Sequence, residues 1–283
     1  MIPLICASAN IQAQTFTLRD TINQVATAIL DVNHAGNYVT VQDPSAFQEN
    51  DRVLLIKMQG AAIEESNDSG FGTIGNTNGV GLYEIATICS ILGNNVIFQY
   101  HMVNDYAPLG TFSGKMQMIK IPQYAGNVNV TGALTAPAWN GNTGGVLIFE
   151  ATGTITLNGD IDMSGKGFRG GHLLNSNYVC IPSMDGDNAD ENSVLAYYSL
   201  SSGEGGCKGE GIAEYIPLKE TGKGNQANGG GGGNNHNAGG GGGGNYGIGG
   251  SGGTRQATTT APIPICRGNH PGEPGTLLAG LGY

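Results

Sequence analysis

Residues 222–253 limit what this chain can fold into more than any other part of its sequence. More than half of them are glycine, and asparagine is the commonest of the rest. Glycine loses more backbone entropy on ordering than any other residue and has no side chain to bury, which argues against an α-helix or an ordinary strand core. The tract therefore predicts either a flexible linker or close-packed polyproline-II-like strands, whose backbones hydrogen-bond to one another as around collagen's axial glycine.

Three features favour the ordered alternative. The glycine runs are interrupted by asparagine rather than by the serine that is typical of flexible linkers. Tyr246 and Ile248 offer apolar cover for a layer without side chains of its own, and Cys207 and Cys266 stand on either side of the tract. We therefore expect an ordered glycine layer, which requires backbone hydrogen bonds between neighbouring glycine strands.

Charge and composition narrow the class of protein. Only 12% of residues are charged, and the formal net charge is −10 with 12 Lys plus Arg. An acidic chain of this kind is a poor partner for nucleic acid or anionic membranes. No apolar run approaches the roughly 20 residues of a membrane-spanning helix. Low charge with abundant Gly, Asn, Thr and Ser indicates a secreted, cell-surface protein.

The two ends of the chain carry weaker indications. Residues 1–13 contain a short apolar run ending in Ile11-Gln12-Ala13, which is typical of the end of a secretory signal peptide. The alternative is an ordinary first strand. The sequence stops on Leu281-Gly282-Tyr283 without a domain-end pattern, so we expect it to be the N-terminal piece of something larger, or a self-standing relative of such a protein.

The remaining sequence predicts strands. Short β-branched and aliphatic runs such as Arg52–Met58 and Lys115–Ile121 fill residues 14–122, where hairpin turns indicate a small antiparallel barrel or sandwich. Residues 123–171 hold shorter strands at intervals of about 8–10 residues, which suit either Asn-Gly hairpins or coils of a β-solenoid. Residues 172–283 are rich in loops and glycine. The expected fold class is all-β: a small antiparallel barrel or sandwich, short solenoid-like strands, and a packed glycine-rich polyproline-II-type region.

The cysteines predict structural bridges rather than a metal site. No two of the five are spaced as a metal-binding pair. In an oxidising exterior the disulfide candidates are three cysteines around the polar insertion and the glycine tract, whose pairing the sequence does not give. They are Cys180, Cys207 and Cys266.

Several polar and aromatic residues are candidates for binding. Aromatic rings stack on sugar faces, and a histidine at a loop tip can contact a partner; the alternative is that these side chains cover or hydrogen-bond the glycine layer. The ligand-binding candidates are His236, Tyr246, Tyr197 and Tyr198.

An acidic cluster is the one candidate metal site. Carboxylate oxygens are the ligands that Ca²⁺ prefers, although the spacing departs from the EF-hand pattern and a solvated acidic loop is the alternative. No other cofactor is expected. The cluster consists of Asp185, Asp187, Asp190 and Glu191.

Taken together, several segments resemble the N-terminal region of large Bacteroidetes cell-surface proteins, the SprB-like gliding-motility adhesins and related substrates of the type IX secretion system. This resemblance implies an exported, surface-displayed β-rich module at the head of a long adhesin. It covers most of residues 38–253 in order. The segments are DRVLLIKMQGA at 51–61, KIPQY at 120–124, LTAPAWNG at 134–141, GGVLIF at 144–149, ITLNGDIDMSGKGFRGG at 155–171 and GNQANGGGGGNNHNAGGGGGGNYGIGG at 224–250.

These observations favour a non-enzymatic adhesion or display module that meets extracellular glycans or proteins. One alternative is a structural subunit that associates with copies of itself into an extracellular filament or sheath. A third is a polysaccharide-active enzyme that uses Asp160 and Asp162, which lie two apart in a strand and so point to one face.

Overall fold

A computed structural model describes residues 14–106, 113–174, 195–203, 205–234, 238–245, 247–253, 271–276 and 278. Within these ranges the regular structure is nearly all β, with one short 3-10 helix at Leu200–Ser202 and no α-helix. The expected all-β class is confirmed. The strands are β1 Thr15–Thr21, β2 Ala26–Asn33, β3 Tyr38–Val41, β4 Arg52–Gln59, β5 Ala62–Ile63, β6 Ile74–Asn76, β7 Tyr83–Leu92, β8 Asn95–Phe98, β9 Lys115–Lys120, β10 Gln123–Tyr124, β11 Asn127–Thr135, β12 Glu150–Ala151 and β13 Ile155–Leu157.

Six antiparallel strands close into a barrel in the order β2-β3-β8-β7-β4-β9. Their side chains alternate, so that Val53 and Leu55 of β4 and Met116 and Met118 of β9 point into one buried apolar core. Closure pairs the edges of all six strands, which removes a route to edge-to-edge aggregation. The barrel encloses a packed core of side chains rather than a channel.

The outer face of the same strands is also apolar. Leu54 and Ile119, which point away from the barrel core, pack against the partly buried Val146 and Ile148 of the following region. Burial on both faces explains why β4 reads as an unbroken aliphatic run instead of an alternating one.

The region after the barrel is built from parallel rather than hairpin pairs. β11 lies between β1 and β13, and both neighbours run parallel to it. Parallel pairing excludes a direct Asn-Gly hairpin between β11 and β13. The β10–β12 pair, the β11–β13 pair and the Leu134–Ile161 bridge all keep an offset of 27 residues. The same offset recurs in the bond from the Thr154 amide to the Asn127 side chain.

The first strand differs from its predicted position. The sequence placed residue 14 onward in the barrel-like unit, but β1 pairs in parallel with β11 from Thr15↔Asn127 to Thr21↔Thr135. The barrel therefore begins at β2. Between β4 and β7 the chain also forms the short antiparallel pair β5–β6.

Six glycine-rich segments beyond the parallel strands bond to one another through their backbones. We call them the glycine layer. Segments 228–234 and 271–276 are each hydrogen-bonded to four of the others, whereas a strand in a sheet has at most two neighbours. The layer is therefore a three-dimensional stack and not a sheet. Its segments are 205–211, 220–224, 228–234, 238–245, 247–253 and 271–276.

Three of these segments form a cycle in which each donates to the next. The donors recur at every third residue, with N···O distances of 2.7 to 3.1 Å. A side chain would not fit inside the cycle, since a Cβ at Gly249 or Gly252 would overlap a carbonyl oxygen of segment 238–245. Gly239 and Gly242 donate to Gly253 and Gly250, Gly252 and Gly249 donate to Gly272 and Gly275, and Gly272 and Gly275 donate back to Gly239 and Gly242.

The glycine layer is anchored on the barrel. The Gly60 and Ala61 amides, just after β4, both donate to the Ile212 carbonyl, and Ala61 and Ile212 lie in one buried apolar cluster. Trp139 is buried beside this junction, with its ring 5.8 Å from that of Phe168. Barrel, parallel strands and glycine layer therefore share continuous packing.

Candidate functional site

An open cleft of about 1040 Å³ lies where the barrel, residues 167–174 and the glycine layer meet. We call it the barrel–glycine cleft. The outer side of the barrel contributes Met58 and Tyr83, residues 167–174 form another wall, and glycine backbone forms much of the rest. Tyr83 is 61% exposed and Leu173 88% exposed, so the cleft offers an aromatic ring and an aliphatic side chain to a ligand. A concave site with apolar walls and exposed backbone amides suits an extended ligand better than a small ion.

An ion pair fixes one wall of the cleft. The Arg169 guanidinium donates from Nε and Nη2 to the two carboxylate oxygens of Glu210, at 3.0 and 2.5 Å. Two backbone amides add hydrogen bonds between the same residues. The Glu210 amide donates to the Arg169 carbonyl, and the Arg169 amide donates to the Glu210 carboxylate. Burial raises the pKa of Glu210, but the hydrogen bonds from Arg169 outweigh it and leave that pKa below its ordinary value. The pair therefore joins the wall to the glycine layer by charge-assisted bonds.

We expect Arg169→Lys to lower the free energy of unfolding by about 1 to 2 kcal/mol, because lysine keeps the charge but cannot form the two-pronged bond to Glu210. Guanidinium denaturation measures the change. Arg52→Lys is the matched control: Arg52 makes the same two-pronged contact with Glu150, but both side chains are about one-third exposed. A pair so exposed is worth less than about 1 kcal/mol. Equal losses in the two variants would contradict a special role for the Arg169 pair.

A buried lysine forms a second set of contacts with the glycine layer. Lys208 is fully buried, and its Nζ donates to the carbonyls of Ala196, Gly222 and Gly224 at 2.7, 3.2 and 2.5 Å. The same Nζ lies 4.7 Å from the centre of the Phe71 ring. Burial lowers the pKa of Lys208 to about 7, against the opposing effect of Glu273. One side chain thus links two glycine-layer positions to residues 195–198 and to the loop that follows β5.

Tyr197 and Tyr198 serve the scaffold. The Tyr197 ring packs 5.2 Å from Phe71 and lies beneath the Lys219 ammonium, while the Tyr197 backbone exchanges two hydrogen bonds with the Asn67 side chain. Tyr198 bonds to Thr221 through its backbone in both directions. Both are half-buried, so neither ring is presented whole for stacking on a sugar.

The other predicted binding and metal residues lie outside the described residues. This applies to His236, Tyr246, Asp185, Asp187, Asp190 and Glu191. Among the residues that the structure does describe, no three His, Cys, Asp or Glu side chains are grouped as a metal site.

Of the three disulfide candidates, only Cys207 is described. It is a free, half-buried thiol that lines the barrel–glycine cleft, and burial together with Glu220 raises its pKa. Cys180 and Cys266 lie outside the described residues. A thiol with a raised pKa is a weak nucleophile, so Cys207 offers no obvious covalent chemistry.

Asp160 and Asp162 are exposed on the outside of the parallel strands. The Asp162 carboxylate accepts a hydrogen bond from the Ser164 amide at 2.8 Å. Bonds from the side chain and backbone of Ser164 lower the pKa of Asp162. A general acid needs a raised pKa and a sheltered position, so this carboxylate is unsuited to that role.

The residues that shape the cleft were not candidates from sequence. Arg169 and Glu210 are 41 positions apart, so their contact has no local signal. Lys208, by contrast, has a local signal in the sequence. A lysine and a glutamate alternate with glycine at residues 208–211, and charges inside a glycine run need a buried partner or solvent.

Comparison with known proteins yields little. No protein-family model matches the chain, and no curated protein matches it. Among solved structures, the chain is similar to the Gp54 tailspike of Acinetobacter baumannii bacteriophage AP22, solved in complex with A. baumannii capsular saccharide. The match has 16% identity and a TM-score of 0.25, and covers 48% of this chain and 21% of the tailspike chain. A likeness at this level identifies neither a common fold nor a common ligand.

Proposed function

We propose that this protein is an exported, cell-surface adhesion or display module that works by binding rather than catalysis. The carrying observation is the glycine layer, whose segments are joined by backbone bonds in several directions and anchored on a closed barrel. Such a layer resists shear without needing side chains at its surface. In this proposal the layer is a stiff platform, and residues 172–203 and 254–275 carry the parts of the chain that meet partners.

We also propose a finer description of the glycine layer and of the parallel strands. We interpret the three-residue hydrogen-bond period of the glycine layer as polyproline-II-type packing, since that helix has three residues per turn and no internal hydrogen bonds. We interpret the constant 27-residue offset as one coil of a short solenoid. Barrel, solenoid and glycine layer would then be three rigid modules in series. Resemblance to SprB-like surface proteins supports export through type IX secretion.

The proposal predicts that attachment depends on residues 172–203 and 254–275. Replacing residues 175–194 by a Gly-Ser linker of equal length should reduce attachment of protein-coated fluorescent beads to a polysaccharide-coated or cell surface by about tenfold or more, because recognition residues tend to sit on loops held by a scaffold. Bead retention under flow and the thermal midpoint are measured together. The matched control replaces the barrel turn at Gly93-Asn94 by Gly-Ser. Full attachment by the linker variant would contradict the proposal.

A second candidate function is self-assembly into a filament or sheath. β13 is the outer strand of its sheet, and its residues Ile155 and Leu157 are each about half exposed, as is Ile161, which forms a parallel bridge to Leu134 beyond the end of β13. An exposed aliphatic edge strand is a template for pairing with another chain. Sedimentation of the purified protein separates the two functions, since a display module stays monomeric at concentrations at which a sheath subunit forms polymers.

A further inference from the structure

Segment 238–245 has three kinds of residue, one for each position of its three-residue period. The amides of Gly239 and Gly242 donate to segment 247–253. The amides of Gly241 and Gly244, which occupy another position of the period, donate to the Gly231 and Asn228 carbonyls of segment 228–234.

The remaining position of the period is unpaired. The amides of Gly240 and Gly243 donate to no described residue, both glycines are exposed, and both line the barrel–glycine cleft. The space beside Gly243 is open enough for a side-chain carbon, whereas a Cβ at Gly240 would lie 3.3 Å from the Gly231 carbonyl oxygen, a tight contact. A Cβ at Gly243 would lie 3.4 Å from its nearest neighbour, the Asn228 carbonyl oxygen, which is an ordinary contact.

A neighbouring segment handles the same position differently. In residues 271–276 the amides of Gly272 and Gly275, three residues apart, donate to segment 238–245. The amides that follow them, those of Glu273 and Thr276, donate to the Lys223 and Ala227 carbonyls. The third position there holds Pro271 and Pro274, which have no amide hydrogen to satisfy. Segment 238–245 instead keeps two donors at this position, on residues that line the open cleft.

We propose that the row formed by Gly240 and Gly243 binds an extended peptide segment of another polypeptide, in polyproline-II conformation, with proline or glycine at every third residue. Amides three residues apart in such a helix lie about 9 Å apart, which is also the spacing of carbonyls on an incoming chain of the same kind. The unpaired donors carry positive partial charge and complement those carbonyls. Met58, Tyr83 and Leu173 supply the apolar contacts that proline rings favour, as in other grooves that bind polyproline-II ligands.

This inference continues the layer's own packing by one more segment. It deepens the proposed function, and rests on it, by naming the class of partner. Backbone bonds would fix the peptide's register while leaving its side chains outside, so recognition would depend on a repeating proline–glycine pattern more than on individual side chains.

The probe is a fluorescein-labelled dodecapeptide that repeats Pro-Gly-Glu-Pro-Gly-Thr, the sequence of residues 271–276. Fluorescence anisotropy measures its binding to the full chain. Gly243→Pro removes one unpaired amide while keeping a backbone that suits the segment, and we expect binding to weaken at least tenfold. Gly250→Pro is the matched control: Gly250 is exposed, its amide also donates to no described residue, and it lies away from the cleft lining. Its affinity should stay within twofold of the parent.

A second measurement keeps the test decisive if Gly243→Pro fails to fold. Hydrogen exchange of the parent protein, followed by NMR, should slow at Gly240 and Gly243 when the unlabelled peptide is added, and not at Gly250. The proposal is overturned if the peptide does not bind the parent, if Gly243→Pro binds it equally well, or if exchange at Gly240 and Gly243 is unchanged.

Two further results would assign the cleft elsewhere. Binding of cellohexaose without binding of the peptide would assign it to saccharide. Dimerisation of the chain that the peptide reverses would assign it to a second copy. Both overturn the present proposal, and both leave the bead-attachment test of display untouched, so the two proposals fail separately.

Discussion

Gly249→Ala should destabilise this protein by about 3 kcal/mol or more, whereas Gly250→Ala, one residue further on, should leave the free energy of unfolding within about 0.5 kcal/mol. A Cβ at Gly249 would overlap the Gly242 carbonyl oxygen, and both atoms belong to backbone that is bonded to a third segment. A Cβ at Gly250 meets nothing within 4 Å. Composition and helix propensity change equally in the two variants, so only position in the three-residue period separates them.

Chemical denaturation of both variants measures the difference, with tryptophan fluorescence as the probe because the single tryptophan, Trp139, is buried near the layer. Gly252→Ala repeats the test three residues along, where a Cβ would overlap the Gly239 carbonyl oxygen. Gly249 and Gly252 variants should behave alike. Equal stability of the Gly249 and Gly250 variants would mean that the cycle of three segments does not exist in solution.

Lys208→Met should lower the free energy of unfolding by about 2 to 3 kcal/mol near pH 10, where the folded lysine is neutral and its loss removes hydrogen bonds but no buried charge, and by less at pH 7. Methionine fills the space and keeps contact with the Phe71 ring, but it donates no hydrogen bond. The Gly224 carbonyl then loses the one donor recorded for it, while the Ala196 and Gly222 carbonyls each keep a backbone donor. Lys219→Met is the matched control, since Lys219 also lies over an aromatic ring, that of Tyr197, but is partly exposed and pairs with the exposed Glu65 carboxylate. Its loss should stay below about 1 kcal/mol.

The pH dependence gives a second readout of the same lysine. Burial lowers the pKa of Lys208 to about 7 in the folded chain, and an unfolded lysine titrates near about 10.4. Between these values the unfolded chain binds more protons, so the contribution of Lys208 makes stability rise as pH increases from 7 toward 10, by at most about 1.4 kcal/mol per pH unit. Below pH 7 both states are protonated and this contribution levels off. The contribution of Lys208 is obtained by plotting the free energy of unfolding against pH for the parent and for Lys208→Met, and subtracting the second slope from the first. A difference of zero between pH 7 and 10 would contradict a buried, titrating Lys208.

The strands were predictable wherever their signal was local. β4 and β9 follow from continuous or alternating apolar runs, and the runs predicted at Arg52–Met58 and Lys115–Ile121 each agree with the observed strand to within one residue. β1 was not assigned correctly because its partner β11 is more than a hundred residues away, and an isolated sequence gives no sign of parallel pairing over that distance.

The glycine layer was predictable only in outline. A run such as Gly239–Gly244 has the same residue at every position, so its sequence does not show which amide faces which neighbour. Pro271 and Pro274 do carry that information, since a residue without an amide marks the position of the period that needs no acceptor. The Lys208 contacts depend on carbonyls from residues 196, 222 and 224, which only the folded chain brings together.

The constant 27-residue offset has a consequence for how such a chain can change length. A single inserted residue between β11 and β13 would turn each later side chain to the opposite face unless a bulge absorbed it. Duplication of a whole 27-residue unit would preserve the register of every strand pair and add one more parallel strand to the stack. Growth by complete units is therefore the mutational path of least disturbance, and the distance between barrel and glycine layer would increase in discrete steps.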